Sequence, residues 1–142
     1  MSIRSVMIVD DNAMDRYIFK RYLEETTLDC YVFEEENGEL AEQFFLDYAD
    51  NSKKHPELYP PCVIFLDINM PLVGGFEFLE RFSRLKRRVD LDSIVIMMFT
   101  SSGRQEDKDK AFAYDFVKDY IVKSELDSDV LEEKISKYSL VN

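Results

Sequence analysis

The chain has 142 residues, of which 46% are hydrophobic, and a formal net charge of −11. That length and apolar content suit a single domain, spanning 1–142, with one real core, and exclude a disordered chain. So acidic a chain lacks the basic face that free binding to DNA or RNA needs, so no direct nucleic-acid role is expected.

In chain order, five short apolar or β-branched runs predict strands: Ser5–Val9, then 30–33, 62–66, 94–99 and 120–122. Most lack the alternation of a half-exposed strand, and continuous apolar runs suit strands buried on both faces of a parallel sheet. Helical spacing fills the gaps. Met14, Tyr17, Ile18 and Tyr22 form a first stripe, with Asn12 as its N-cap. Leu40, Ala41, Phe44, Phe45 and Tyr48 form a second, and Phe78, Phe82 and Leu85 a third. The segment 106–115 is weakly amphipathic through Ala111, Phe112 and Tyr114. Leu131, Ile135 and Tyr138 mark a fifth helix that opens near Asp127 or Ser128. These stripes read as helix faces covering a sheet. Five strand–helix alternations imply a doubly wound α/β fold with right-handed crossovers. The polar stretch 51–61, NSKKHPELYPP, reads as a long surface loop that contains His55.

The apolar runs are too short to span a membrane, so no membrane insertion is expected. Asp10 and Asp11 follow the first run at once, against a signal peptide. Cys30 and Cys62 have no CxxC spacing and lie in or beside apolar runs, which favours reduced, buried thiols in a cytoplasmic protein over a redox pair. The basic run at 84–88, RLKRR, suits a helix C-terminus, with a docking patch for an acidic partner as its other reading. Gly74 and Gly75 free the backbone to enter the third helix and form no nucleotide-binding loop.

In the stretch CVIFLDINMP, 62–71, the apolar run ends on a carboxylate, Asp67. Alone, such an aspartate is a turn former or helix cap. In an open parallel sheet, however, ligands bind outside the carboxyl ends of the strands. Asp10 and Asp11 end the first strand and Asp67 ends the third, neighbours in the order 2-1-3-4-5. Three converging carboxylates need a compensating cation, and an all-oxygen set with water access suits Mg2+. The fourth run ends in Thr100-Ser101-Ser102 and the fifth in Lys123, a hydroxyl and a point cation suited to phosphoryl oxygens. Each signal alone has a bland reading as a cap or solvated surface. Together, at four strand ends in order, they read as a phosphoryl-transfer site with Asp67 as the nucleophile that forms an acyl phosphate.

These residues resemble the receiver domain of two-component response regulators. The matching text is VMIVDDN at 6–12, VIFLDINMP at 63–71, IVIMMFTSS at 94–102 and DYIVK at 119–123. The likeness spans about residues 4–138 and looks like that of single-domain, chemotaxis-type regulators; DDNAMDR and TSSGRQED are similar to a subgroup with relatives among phytochrome-associated bacterial regulators. The resemblance implies a flavodoxin-like fold, Asp67 as phospho-acceptor, and an acidic pair in which Asp11 touches Mg2+ directly and Asp10 acts through water. It further implies that the backbone carbonyl of Asn69 completes the metal shell and that Thr100 and Lys123 contact the phosphoryl group. Tyr120 matches the switch aromatic, while Asn69 and Ser102 match positions that tune acyl-phosphate lifetime. The implied partners are a sensor histidine kinase or phosphotransfer protein and an unknown downstream protein.

Two departures stand out. Ser124 follows Lys123 where the family usually has proline, often after a cis bond, so the bond is either cis at a cost of about 3 kcal/mol or trans with a different lysine approach. Tyr120 lies one residue further from Thr100 than in the shortest family members, which predicts a bulge on the way into the fifth strand. Two rival classes remain beside the receiver that promotes its own phosphorylation. One is a phosphorylation-independent docking module, which a missing acidic residue, threonine or lysine would favour; none is missing, and only the Ser124 departure keeps it open. The other is a hydrolase with an Asp nucleophile, disfavoured because position 69 is Asn and Asp67 lies mid-chain.

Overall fold

The computed structural model describes residues 5–139; the ends of the expected 1–142 domain lie outside that range. Five parallel strands form one sheet in the order β2-β1-β3-β4-β5. They are β1 (Ser5–Val9), β2 (Tyr31–Glu35), β3 (Val63–Leu66), β4 (Val95–Thr100) and β5 (Val117–Val122). The helices are α1 (Ala13–Glu24), α2 (Gly38–Leu46), α3 (Tyr48–Lys54), α4 (Gly75–Leu85), α5 (Gln105–Phe112) and α6 (Ser128–Ser139). The doubly wound fold expected from the alternation of runs is what forms.

The inner strands β1 and β3 are buried at every residue, as their continuous apolar runs require. Alternate residues serve opposite layers. Met7, Val9, Ile64, Leu66, Ile96 and Met98 pack with Phe45, Phe78, Phe82 and Ala111 of α2, α4 and α5. Val6, Ile8, Phe65, Met97 and Phe99 pack with Phe19 and Leu23 of α1 and Leu131 and Ile135 of α6. The Phe19 ring lies 4.8 Å from Phe65 and 5.8 Å from Phe99, centroid to centroid. Burying such a ring stabilises the fold by about 1.5–3 kcal/mol.

Several expectations need correction. On α1 the core face is Phe19 and Leu23, whereas Met14, Tyr17 and Ile18 point to solvent and only Tyr22 of the expected stripe packs on the core. A helix of intermediate hydropathy carries apolar residues on more than one face, and spacing alone cannot say which face is covered. Tyr48 does not extend α2; it opens α3, whose last residues take up the start of the expected 51–61 loop. His55 is half-buried rather than on the open surface, its ring centroid 5.1 Å from that of Phe33. The edge strand β5 begins at Val117, earlier than its apolar core suggests, because Lys118 and Asp119 can sit on an edge facing water. The pairing of β4 with β5 slips by one residue between Ile96↔Val117 and Met97↔Asp119, which is where the expected bulge falls.

Caps place the remaining elements. Asn12 Oδ1 accepts from Asp15 N at 3.0 Å at the start of α1, and Asn37 Oδ1 from Leu40 N at 2.9 Å at the start of α2. Asp127 Oδ1 accepts from Val130 N at 2.8 Å and opens α6 where expected. In the basic run, Leu85 is buried and closes α4, Lys86 lies over the Phe116 ring and Arg84 pairs with Glu80, the pattern of a helix end. Both thiols are free and half-buried; burial foremost pushes Cys30 up to about 12 and Cys62 to about 11, so neither is a ready nucleophile.

Candidate functional site

The carboxyl ends of β1 and β3 are tied by the sheet itself. Asp10 N donates to Glu35 O and Asp67 N to Val9 O, each at 3.0 Å. This carries both aspartates one residue past their strands, side by side. One carboxylate oxygen each from Asp10, Asp11 and Asp67 lies within 4.8 Å of the others. Asp10 is enclosed, Asp67 is buried and Asp11 is exposed, so the group opens to solvent on one side.

Half of each buried carboxylate is committed locally. Asp10 Oδ1 accepts from Asn12 N at 2.9 Å, and Asp67 Oδ1 from Ile68 N at 2.8 Å. Arg16 Nη1 donates to the Asp10 carbonyl at 2.7 Å, pinning the turn from β1 into α1. The other oxygens face Lys123, which follows the last residue of β5. Its Nζ lies 2.7 Å from Asp10 Oδ2, 2.7 Å from Asp15 Oδ2 and 3.4 Å from Asp67 Oδ2. The contact to Asp10 is an ion pair without hydrogen-bond alignment, so that buried oxygen has no proper donor. Burial pushes the Asp10 carboxyl up, opposed by Lys123 and the Asn12 N–H. Burial alone would push the Lys123 amine down, but the close contacts to Asp10 and Asp15 and the charge of Asp67 outweigh it, and the net shift is upward.

The loop after β3 is held against Asp67 from behind. Gly75 N donates to Ile68 O at 2.8 Å, so close that a Cβ at Gly75 would lie 2.3 Å from the Asp67 carbonyl oxygen. Glycine at 75 is thus required by approach, a tighter role than helix entry alone. Asn69 stands exposed in this loop.

Thr100 ends β4, fully buried, beside Val122 of β5. Its Oγ1 accepts from Ser102 N at 3.4 Å, and Tyr120 Oη donates to Ser102 O at 2.8 Å. The Ser102 hydroxyl donates to Asp107 Oδ2 at 2.5 Å, tying the loop to α5. Among the described residues Tyr59–Pro60 is the only cis peptide, so Lys123–Ser124 is trans, and Lys123 opens a 3-10 turn over Lys123–Glu125.

Asp10, Asp11, Asp67 and Lys123 therefore meet, as their places at strand ends predict. Thr100, Ser102 and Tyr120 form an adjoining group around the β4–α5 loop. Asp15 is the contact the sequence reading missed. It sits three residues after a capping asparagine, where a carboxylate at a helix start already has an explanation.

The chain belongs to the response regulator receiver family: the family model of the response regulator receiver domain matches residues 6–136. Over 99 residues it is 30% identical to a protein-glutamate methylesterase/protein-glutamine glutaminase of Treponema pallidum (strain Nichols), covering 70% of this chain and 21% of that protein. Over 92 residues it is 28% identical to hybrid signal transduction histidine kinase C of Dictyostelium discoideum, covering 65% of this chain and 6% of that protein. The match thus spans a minor part of each relative's length. Among solved structures, a two-component response regulator from Cytophaga hutchinsonii superposes with a TM-score of 0.78 at 22% identity, covering 98% of each chain. The Mn2+-bound form of response regulator Rcp1 gives 0.67 at 22% identity, covering 96% of this chain and 92% of that one. Bacteriophytochrome response regulator RtBRR gives 0.71 at 28% identity, covering 100% and 81%. Among the described residues no helix is long and apolar enough to cross a membrane.

Proposed function

We propose that this chain works as one receiver domain over 1–142 that accepts a phosphoryl group on Asp67, from a phosphohistidine of a sensor histidine kinase or phosphotransfer protein. The observation that carries the reading is the meeting of three carboxylates within 4.8 Å with Lys123 at the ends of β1, β3 and β5. Asp67 Oδ1 is committed to the Ile68 N–H, which leaves Oδ2 as the attacking oxygen. The new P–O bond forms as the P–N bond to the donor histidine breaks; the imidazole keeps the bonding pair and takes a proton from solvent.

The residues fit a divalent cation. Like charges this close, with a buried Asp10 oxygen that lacks an aligned donor, are stabilised by a hard cation with oxygen ligands. Asp11, Asp67 and the Asn69 carbonyl would hold Mg2+, with Asp10 acting through water. Bound there, Mg2+ would screen the charge of the carboxylates and the phosphoryl oxygens. Lys123, 3.4 Å from Asp67 Oδ2, would contribute a donor to the transferred group.

Both switch residues depend on Ser102. Thr100 Oγ1 holds its N–H and Tyr120 Oη holds its carbonyl. A Thr100 hydroxyl drawn to the phosphoryl group releases the Ser102 N–H, and the loop, Tyr120 and the face of α5, β5 and α6 settle into a second arrangement. Phosphate and the unknown downstream protein then favour the same state, which couples them. Asn69, two residues after the acceptor, and Ser102, two residues after Thr100, tune the lifetime of the acyl phosphate. On this reading the chain promotes its own phosphorylation and dephosphorylation, as a cytoplasmic signalling protein with reduced thiols.

Intact-protein mass after incubation with acetyl phosphate tests this, for the native chain and Asp67→Asn. A gain of one phosphoryl group that needs both Mg2+ and Asp67 is expected. No gain in the native chain would point to a phosphorylation-independent docking module.

A further inference from the structure

Asp15 lies outside the three carboxylates at the strand ends, yet it makes the shorter of the two aligned hydrogen bonds of Lys123. Nζ donates to Asp15 Oδ2 at 2.7 Å and to Asp67 Oδ2 at 3.4 Å. An ammonium has three donors, and Asp15 occupies one of them. Asp15 is also firmly placed, because its own N–H is held by the Asn12 cap at 3.0 Å. It is the outermost partner: its side chain is 31% exposed, against 8% for Asp67 and 0% for Asp10. The trans Lys123–Ser124 bond leaves the lysine at the start of a short turn. Contacts at the tip of its long, flexible stem therefore determine where the charge sits.

We propose that Asp15 is a positioning residue that restrains Lys123, a built-in anion that competes with the phosphoryl group for the lysine ammonium. The inference rests on the reading of Asp67 as phosphoryl acceptor. Two effects act in the same direction. Lys123 must turn a donor from Asp15 to a phosphoryl oxygen, and the Asp15 carboxylate repels the negative charge that arrives at Asp67. A phosphoryl group carries more charge than a carboxylate, so it can win the lysine, but less readily than if Asp15 were neutral. Asp15 thereby keeps the unphosphorylated state favoured.

Calorimetric binding of beryllofluoride, a phosphoryl mimic, at saturating Mg2+ tests this in the native chain, Asp15→Asn, Asp15→Ser and Asp15→Glu. Loss of a partly screened ion pair of this kind corresponds to about fivefold in affinity. Asp15→Asn and the second neutral variant, Asp15→Ser, are expected to bind about fivefold tighter and to label faster with acetyl phosphate, while Asp15→Glu keeps the charge and stays within about twofold of native. Unchanged or weaker binding in both neutral variants overturns the proposal, as does a Glu variant that moves as far as they do, which would indicate space rather than charge. A native chain that neither binds beryllofluoride nor gains a phosphoryl group refutes the acceptor reading itself, and the Asp15 proposal falls with it. Native binding with unaltered neutral variants refutes only the proposal.

Discussion

Gly75→Ala is expected to damage both the fold and the acceptor loop. The added Cβ would lie 2.3 Å from the Asp67 carbonyl oxygen and 2.9 Å from Ile68 Cα. Both are backbone atoms, and the segment is fastened on two sides, by Asp67 N to Val9 O at 3.0 Å and by Gly75 N to Ile68 O at 2.8 Å. No rotamer change relieves the clash, so the loop or α4 has to move. Overpacking of this kind costs about 1–3 kcal/mol, and so short an approach to backbone atoms falls in the upper part of that range, about 2–3 kcal/mol. Alanine's helix preference returns at most about 1 kcal/mol at this first helical position. The net loss is about 1–2 kcal/mol, or about 3–6 °C in unfolding midpoint for a chain of this size. Gly103→Ala is the control, because its nearest atom would be Val122 Cγ2 at 3.9 Å, and a change within about 0.5 kcal/mol is expected. Thermal unfolding by far-UV circular dichroism gives the stability. The initial rate of acetyl phosphate labelling gives the site geometry, and for Gly75→Ala it should fall by more than the unfolded fraction explains. Equal midpoints and equal labelling for the two variants would refute the close-approach argument.

Three further outcomes are expected. Burial, and then the charge of Glu36, pushes the Glu35 carboxyl up to about 7 from its ordinary 4.5, so the folded chain keeps a proton there that the unfolded chain has lost. Stability from this group is therefore present below its unfolded value and lost as pH rises toward 7; Glu35→Gln should be more stable than native by about 1 kcal/mol near pH 8 and not below pH 4.5, read by chemical denaturation at both. Asp11→Asn removes one like charge from the exposed side of the carboxylate group, so its midpoint without divalent cation should equal or exceed the native one, while the rise expected on adding Mg2+ to the native chain should vanish. Tyr120→Phe deletes the 2.8 Å bond to Ser102 O and should cost about 1 kcal/mol in denaturant unfolding, with Asp67 still labelled by acetyl phosphate.

The parts of the fold legible in the sequence are those where burial is total. β1 and β3 are covered on both faces, so every residue but Ser5 is apolar and their limits fall close to the runs that announce them. The edge strand β5 is the opposite case: water on one side lets Lys118 and Asp119 into the ladder, and only its apolar end reads as strand. The exposed Met14, Tyr17 and Ile18 show a second limit. Apolar spacing on α1 identifies a helix, but it is Phe19 that meets Phe65 and Phe99, with Leu23 buried in the same cluster, because the direction of approach of the sheet is a tertiary fact. α3 was missed because its seven residues include polar side chains without a buried one.

The candidate site was more legible than the helix faces, for a topological reason. In a parallel sheet each strand end lies on the same rim, so Asp10, Asp11, Asp67, Thr100 and Lys123 are gathered by strand order and need no knowledge of side-chain packing. Asp15 belongs to no strand end. Its meeting with Lys123 joins the first turn of α1 to the end of β5, residues separated by 108 positions, and depends on how closely that turn approaches the rim. The same placement gives the lysine a partner outside the three-carboxylate group. The ammonium of Lys123 is thus shared among Asp15 on the outside and Asp10 and Asp67 within, and on the proposal above it is the balance between the Asp15 and Asp67 contacts that would set how readily Asp67 is phosphorylated.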